Sequence, residues 1–285
     1  DDAVEWTRPA MIPVIHREID GLGGFAHHTV REIAQQPAVI EGLLQDRDAT
    51  RALADAIHDA RQVIFTGCGS AFFAARFGVS WLSTLAGTSA FAIQASEFAE
   101  CLPLLGPETL VIALSQSGET ADVIDAVALA QAGGARVHAI VNVPYSTVAR
   151  MVDQGYLLHA GVEQSVLATK SFMAKLARLL LATGELAGIG SEVESDLHRA
   201  IGVLDRVVQA GTMQHQVEQV ATRLADHDHV FMIGRRVGFA VAQEAALKLK
   251  EGSYIHAEAL AAGELKHGSI ALIESGTPCL IFGNG

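Results

Sequence analysis

Four apolar runs that do not alternate with polar residues constrain this chain more than any other feature. They are VIFTG at 63–67, LVIALS at 110–115, VHAIVNV at 137–143 and VFMIG at 230–234. Side chains along a strand point to alternate faces, so a strand that is apolar throughout must be covered on both sides. That is the condition of a parallel sheet between two layers of helix. The intervening segments fit those layers. TADVIDAVALAQAGG, for example, is apolar at helical spacing and closes on a glycine pair that stops the helix. Strand–helix–strand alternation predicts an α/β chain with doubly wound parallel sheets.

The pattern recurs weakly within the chain. VIFTG ends at Gly67 and the next buried run opens at Leu110, 43 positions on; VFMIG ends at Gly234, and Thr277 of TPCLIF again lies 43 positions on. Both first runs end in glycine and lead into an Ala-rich helix. The predicted organisation is a linker and lead-in helix over 1–45, a first sheet-bearing domain over 46–195, and a second over 196–285. The second copy reads as incomplete, and the sequence therefore as a fragment. HTVREIAQQPAVIEGLLQ predicts two helices divided by a proline, and the polar stretch 190–226 is helical.

Composition excludes several classes. A net charge of −12 repels nucleic-acid backbones. Apolar stretches are broken within roughly 10 residues, short of the roughly 20 that span a bilayer, so a soluble chain with no membrane partner is expected. Cys68, Cys101 and Cys279 are isolated, which suits reduced, buried thiols in the cytoplasm. His27/His28 and His227/His229 lack companion ligands and read as solvated, so no metal and no cofactor are expected.

The chemistry concentrates at strand ends. Ser115-Gln116-Ser117-Gly118-Glu119-Thr120 follows LVIAL and opens a helix, where open parallel sheets bind ligands and helix N-termini offer free N–H groups. One serine there would be an ordinary cap. Three hydroxyls and an amide form a neutral cradle for phosphate, compatible with an acidic protein. A second turn, Thr66-Gly67-Cys68-Gly69-Ser70, lacks the full spacing of a dinucleotide fingerprint. On the run EAALKLKE, Glu244, Lys248 and Glu251 share a helix face flanked by Ala and Leu. That is either a solvated ion-pair ladder or a half-buried acid–base group able to move a proton between adjacent carbons, with the lysine steadying an enediol. His267 precedes a loop glycine. It is a surface histidine or a ring-opening acid–base group.

Together these pieces resemble the SIS (sugar isomerase) family, and within it the isomerase half of the glucosamine-6-phosphate synthases. The resemblance runs through REIAQQP, ALSQSGETADVIDA, NVPYSTVAR and ATKSF, and most closely through EAALKLKEGSYIHAEALAAGELKHGSIALIE. It implies two SIS-type subdomains and conversion of fructose-6-phosphate to glucosamine-6-phosphate. It also implies that Ser115, Gln116, Ser117 and Thr120 hold the sugar phosphate, while Ser70 and the backbone near Val166 meet sugar hydroxyls. Glu251 would be the base, Lys248 its charge partner, and His267 the ring-opening residue, reaching a neighbour's site in a homodimer. Ala71 and Ala168 stand where the family usually has serines. The family's C-terminal lysine-bearing tail and its N-terminal glutaminase domain are expected to be absent from the sequence. A stand-alone SIS deaminase or isomerase is an alternative reading. So is a non-catalytic module that senses sugar phosphates, which would need the cradle but not Glu251, Lys248 and His267 together.

Overall fold

The computed structural model describes residues 22–209 and 211–283. The first half of the expected linker, with its VEW segment, falls outside them.

The chain enters through three helices, α1 (His28–Ala34), α2 (Gln36–Gln45) and α3 (Arg47–His58), then builds β1 (Gln62–Gly67), α4 (Ser70–Leu85) and β2 (Ala90–Gln94). A 3-10 stretch at Ala95–Leu104 leads to β3 (Thr109–Ser115), α5 (Ala121–Ala132), β4 (Arg136–Val141), α6 (Thr147–Met151) and β5 (Gln154–Leu157). Helices α7 (Lys170–Leu186), α8 (Gly190–Gln209) and α9 (Gly211–Leu224) follow. The second unit has β6 (His229–Gly234), α10 (Val237–Ser253), β7 (His256–Ala261), 3-10 turns at Leu265–His267 and Ser269–Leu272, and β8 (Cys279–Phe282).

The first sheet is parallel throughout in the order β2-β1-β3-β4-β5; the second is parallel in the order β7-β6-β8. Consecutive residues of the apolar runs do go to opposite layers. Val63, Phe65, Leu110, Ile112 and Leu114 pack with α2, α3, α4 and α7, while Ile64, Val111 and Ala113 pack with the 95–104 stretch and α5. Each of the Val, Leu, Ile and Phe side chains so buried contributes about 1.5–3 kcal/mol. The chain is thus an α/β fold of two doubly wound parallel sheets, the second smaller.

The sequence repeat has a structural counterpart. In both sheets the first strand is flanked by the second strand on one side and, on the other, by the strand reached 43 positions on. The turns after β1 and β6 agree in backbone angle: Gly69 has φ 53°, ψ −126° and Arg236 has φ 53°, ψ −125°. Both sit in a region that side-chain-bearing residues rarely enter, at a cost of about 1–3 kcal/mol for Arg236. Just before each turn a glycine permits close approach. A Cβ on Gly234 would lie 2.0 Å from the carbonyl oxygen of Gly238.

Because the first sheet's order reverses direction between β1 and β3, the turns leaving those strands open a crevice at their carboxyl ends. One wall of that crevice comes from α10 of the second unit, which packs against α4.

Candidate active site

The crevice contains a cavity of about 270 Å³. The turn at Ser115–Thr120 forms its floor. Ser115 Oγ accepts the Gly118 N–H at 2.9 Å and Ser117 Oγ accepts the Glu119 N–H at 3.1 Å. Each hydroxyl oxygen is therefore held by the backbone while its own proton is left to donate. Thr120 is the residue capping α5, yet its side chain makes no capping hydrogen bond. The ordinary-cap reading of this threonine thus fails, and its hydroxyl lines the cavity with Gln116, Ser115 and Ser117.

Gly118 makes this turn possible, with φ at 67°. The turn is braced from behind by the start of α6. Val148 N–H donates to Gly118 O at 3.0 Å, and Thr147 N–H to Glu119 Oε1 at 2.8 Å. That bond, with one from the Thr147 side chain, holds the Glu119 carboxyl below its ordinary pKa.

Opposite lies α10. Its helical spacing stacks Glu244, Lys248 and Glu251, and Lys248 Nζ reaches Glu251 Oε2 at 2.5 Å and Glu244 Oε1 at 3.7 Å. Lys248 and Glu251 line the same cavity as the cradle. Glu244, only 7 % exposed, accepts the Ser70 hydroxyl at 2.8 Å across the two units. Burial raises the Glu244 pKa, opposed by the Ser70 hydrogen bond and the Lys248 charge. Its second oxygen, Oε2, is buried without a partner. Ser70 accordingly spends its proton on Glu244.

The third wall is the loop at 163–169. Glu32 of α1 accepts the N–H groups of Gln164 at 2.5 Å and Ser165 at 3.1 Å. Glu163 accepts the N–H groups of Thr169 at 2.9 Å and Ser171 at 3.2 Å. These bonds hold out Val166, 87 % exposed, at the cavity rim. Ala71 and Ala168 also line the cavity.

Of the residues expected from sequence, eight come together here: Ser70, Ser115, Gln116, Ser117, Thr120, Val166, Lys248 and Glu251. His267 does not. It lies in the 3-10 turn after β7, exposed, outside this cavity.

Sequence reasoning missed Lys175. It lines the cavity from α7 while only 1 % exposed, its Nζ 3.4 Å from Ser171 O. The signal was available, since Lys175 shares with Phe172 and Leu179 the buried face of α7. Burial lowers its pKa to about 8, with Glu163 and Glu244 opposing and Lys248 adding to the shift. The unfolded chain, with a value near 10.5, binds that proton more tightly, so this group makes stability rise with pH between 8 and 10.5. Below pH 8 the buried ammonium is a constant penalty of about 3 kcal/mol. Relative to a Lys175→Met variant, the wild-type chain should gain unfolding free energy across that window. Parallel stability curves in denaturant titrations at pH 7.5 and 10.5 would contradict this.

Among the described residues no cluster of His, Cys, Asp and Glu could hold a metal ion, and no helix is long and apolar enough to cross a membrane.

The SIS domain family matches residues 56–185 and 223–285. The chain is 41 % identical over 271 residues to a glutamine–fructose-6-phosphate aminotransferase (isomerizing) of Symbiobacterium thermophilum and 40 % identical over 262 residues to that of Thermococcus kodakarensis. Each alignment covers 90 % of this chain and 44 % of the relative, so the chain spans less than half of their length. Among solved structures it is similar to the C-terminal domain of a glucosamine-fructose-6-phosphate aminotransferase from Francisella tularensis. The TM-score is 0.80 at 27 % identity, over 91 % of this chain and 76 % of that one. It is also similar to a glucosamine-6-phosphate deaminase from Thermotoga maritima, with a TM-score of 0.73 at 25 % identity over 90 % and 76 %. The chain belongs to the SIS domain family.

Proposed function

We propose that this chain is the phosphosugar-isomerising portion of a glutamine–fructose-6-phosphate aminotransferase, acting on fructose-6-phosphate to form glucosamine-6-phosphate. The observation that carries this reading is one cavity lined on one side by a neutral hydroxyl cradle and on the other by a lysine–carboxylate pair. A phosphate and a reacting carbon of one sugar phosphate can occupy it together.

The residues divide the work. Ser115, Gln116, Ser117 and Thr120 bind the phosphoryl oxygens, helped by the positive end of α5. Ammonia drawn from glutamine by the whole protein condenses with the C2 ketone and water leaves. Glu251 then moves the proton from C1 to C2, and Lys248, within hydrogen-bond distance of it, stabilises the negative charge that develops on the C1 oxygen of the enolamine. Ser70 and the backbone near Val166 meet sugar hydroxyls. His267 lies outside this chain's cavity, so its ring-opening role is assigned to a neighbouring subunit of a homodimer.

The test is calorimetric titration with fructose-6-phosphate and glucosamine-6-phosphate, with the unphosphorylated sugars as controls. Only the phosphorylated pair should bind. Ser117→Ala should weaken fructose-6-phosphate about 10–100-fold, the loss of one hydrogen bond to a charged group, with little change in melting temperature. Equal affinity in the variant would remove the phosphate from this turn. Resemblance to the Thermotoga deaminase favours a second reading, in which free ammonia is the partner of the reaction. Turnover of fructose-6-phosphate with ammonium salts and no glutamine would select it.

A further inference from the structure

A second cavity, of about 540 Å³, lies at the carboxyl ends of β6 and β7 against α4 and does not touch the first. Its lining includes three arginines, Arg76, Arg235 and Arg236, and no acidic residue. In a chain of net charge −12 with only 20 basic residues, such convergence on one space is unexpected. Among the described residues none of the three is in a salt bridge. Arg76 is half-buried and stacks 5.2 Å over the Phe239 ring, and burial with no acidic neighbour lowers its pKa.

Arg236 carries the strongest indication. It occupies the position where the first unit has Gly69, in the same backbone conformation, one that glycine adopts without strain. The duplicated turn thus holds an arginine where backbone geometry asks for glycine. Strained residues of this kind persist where the side chain has a use. The first turn of α10 adds Val237, Phe239 and Ala240 to the lining, so the positive end of a helix dipole reinforces the field.

We propose that this cavity is a second anion site, built for an organic diphosphate: a small molecule whose paired phosphoryl groups match three guanidiniums and whose remainder lies on the Phe72, Val79 and Phe239 wall. Guanidinium forks bind phosphoryl oxygens two at a time, and the volume is in the usual range for small-molecule sites. The proposal does not rest on the fructose-6-phosphate reading of the first cavity.

The probe is inorganic pyrophosphate, titrated into the full chain carrying Ser117→Ala so that the first cradle is weakened. One saturable site is expected. Arg235→Gln and Arg236→Gly should each lower its affinity about tenfold, the equivalent of 1.4 kcal/mol. Arg236→Gly should also raise the melting temperature by a few degrees, because it relieves the strained backbone. Arg235 is exposed, so its replacement leaves the fold intact. Absence of saturable binding, or a loss under about fivefold in both arginine variants, would overturn the site. Loss of binding on Ser117→Ala itself would assign the anion to the first cavity and overturn it equally.

Discussion

Glu251→Gln is expected to lower turnover of fructose-6-phosphate by about 10²–10⁴-fold, the range a positioned general base contributes. Fructose-6-phosphate should still bind. The amide keeps the shape of the side chain, and its oxygen can still accept from Lys248, which stands 2.5 Å from the carboxylate. What it loses is the ability to take a proton. Steady-state kinetics and calorimetry on the same preparation separate the two effects, because an interaction used only in the transition state changes kcat and leaves ground-state binding. Unchanged turnover would remove Glu251 from the mechanism. Parallel loss of binding and turnover would make it a structural member of the cavity wall.

Gly118→Ala should damage the cradle without touching any ligand-facing hydroxyl. The added Cβ would lie 2.0 Å from Ser146 Oγ and 2.5 Å from Ser146 Cβ, in a backbone conformation, φ 67°, that alanine adopts at a cost of about 1–2 kcal/mol. Ser146 cannot simply rotate away, because its hydroxyl accepts the Ala149 N–H and caps α6. Either the turn or α6 must move, and Val148 N–H and Thr147 N–H tie them to each other. The expected cost is about 2–4 kcal/mol, read as a melting temperature several degrees lower. Affinity for fructose-6-phosphate should fall at least about tenfold. A variant that melts and binds like the wild type would show that this turn tolerates a different path.

Much of this was legible in the sequence because two-faced burial leaves a one-dimensional trace. The runs at 63–67, 110–115 and 230–234 each fall within one residue of the strands that form, and TADVIDAVALAQAGG becomes α5 with Gly133 at its end. VHAIVNV overshoots: β4 stops at Val141, because Asn142 turns its side chain to Ala160 N–H and Gly161 O and leads the chain out of the sheet. The flanking strands were not legible. AFAIQ of β2 and GYL within β5 sit at sheet edges, where half-exposure mixes polar and apolar residues. HAEALA, with a histidine and a glutamate among small residues, was not read as a strand, yet it pairs in parallel with all of β6.

The site divides the same way. Ser115–Thr120 announces itself because the hydroxyls are dense and follow a strand. Glu244, Lys248 and Glu251 follow from helical spacing, and their burial was inferred from the Ala and Leu beside them. Lys175 was legible as a lysine on the apolar face of α7 and was passed over, whereas Glu32 was hidden, since its role depends on which loop lies over α1, and no local pattern encodes that. Ser70 was assigned to sugar hydroxyls, but the structure also engages it across the two units with Glu244. That contact joins residues 174 positions apart.

Glu32 lies ahead of the stretch that the family match delimits, which opens at residue 56. Two oxygens of this one carboxylate nevertheless fasten the backbone at Gln164 and Ser165. A polypeptide trimmed to begin at residue 56 would keep both sheets, the hydroxyl turn and α10, and would set that segment adrift. The unit that shapes the cavity therefore starts earlier than the recognisable domain, and the helical lead-in belongs to it as a tether.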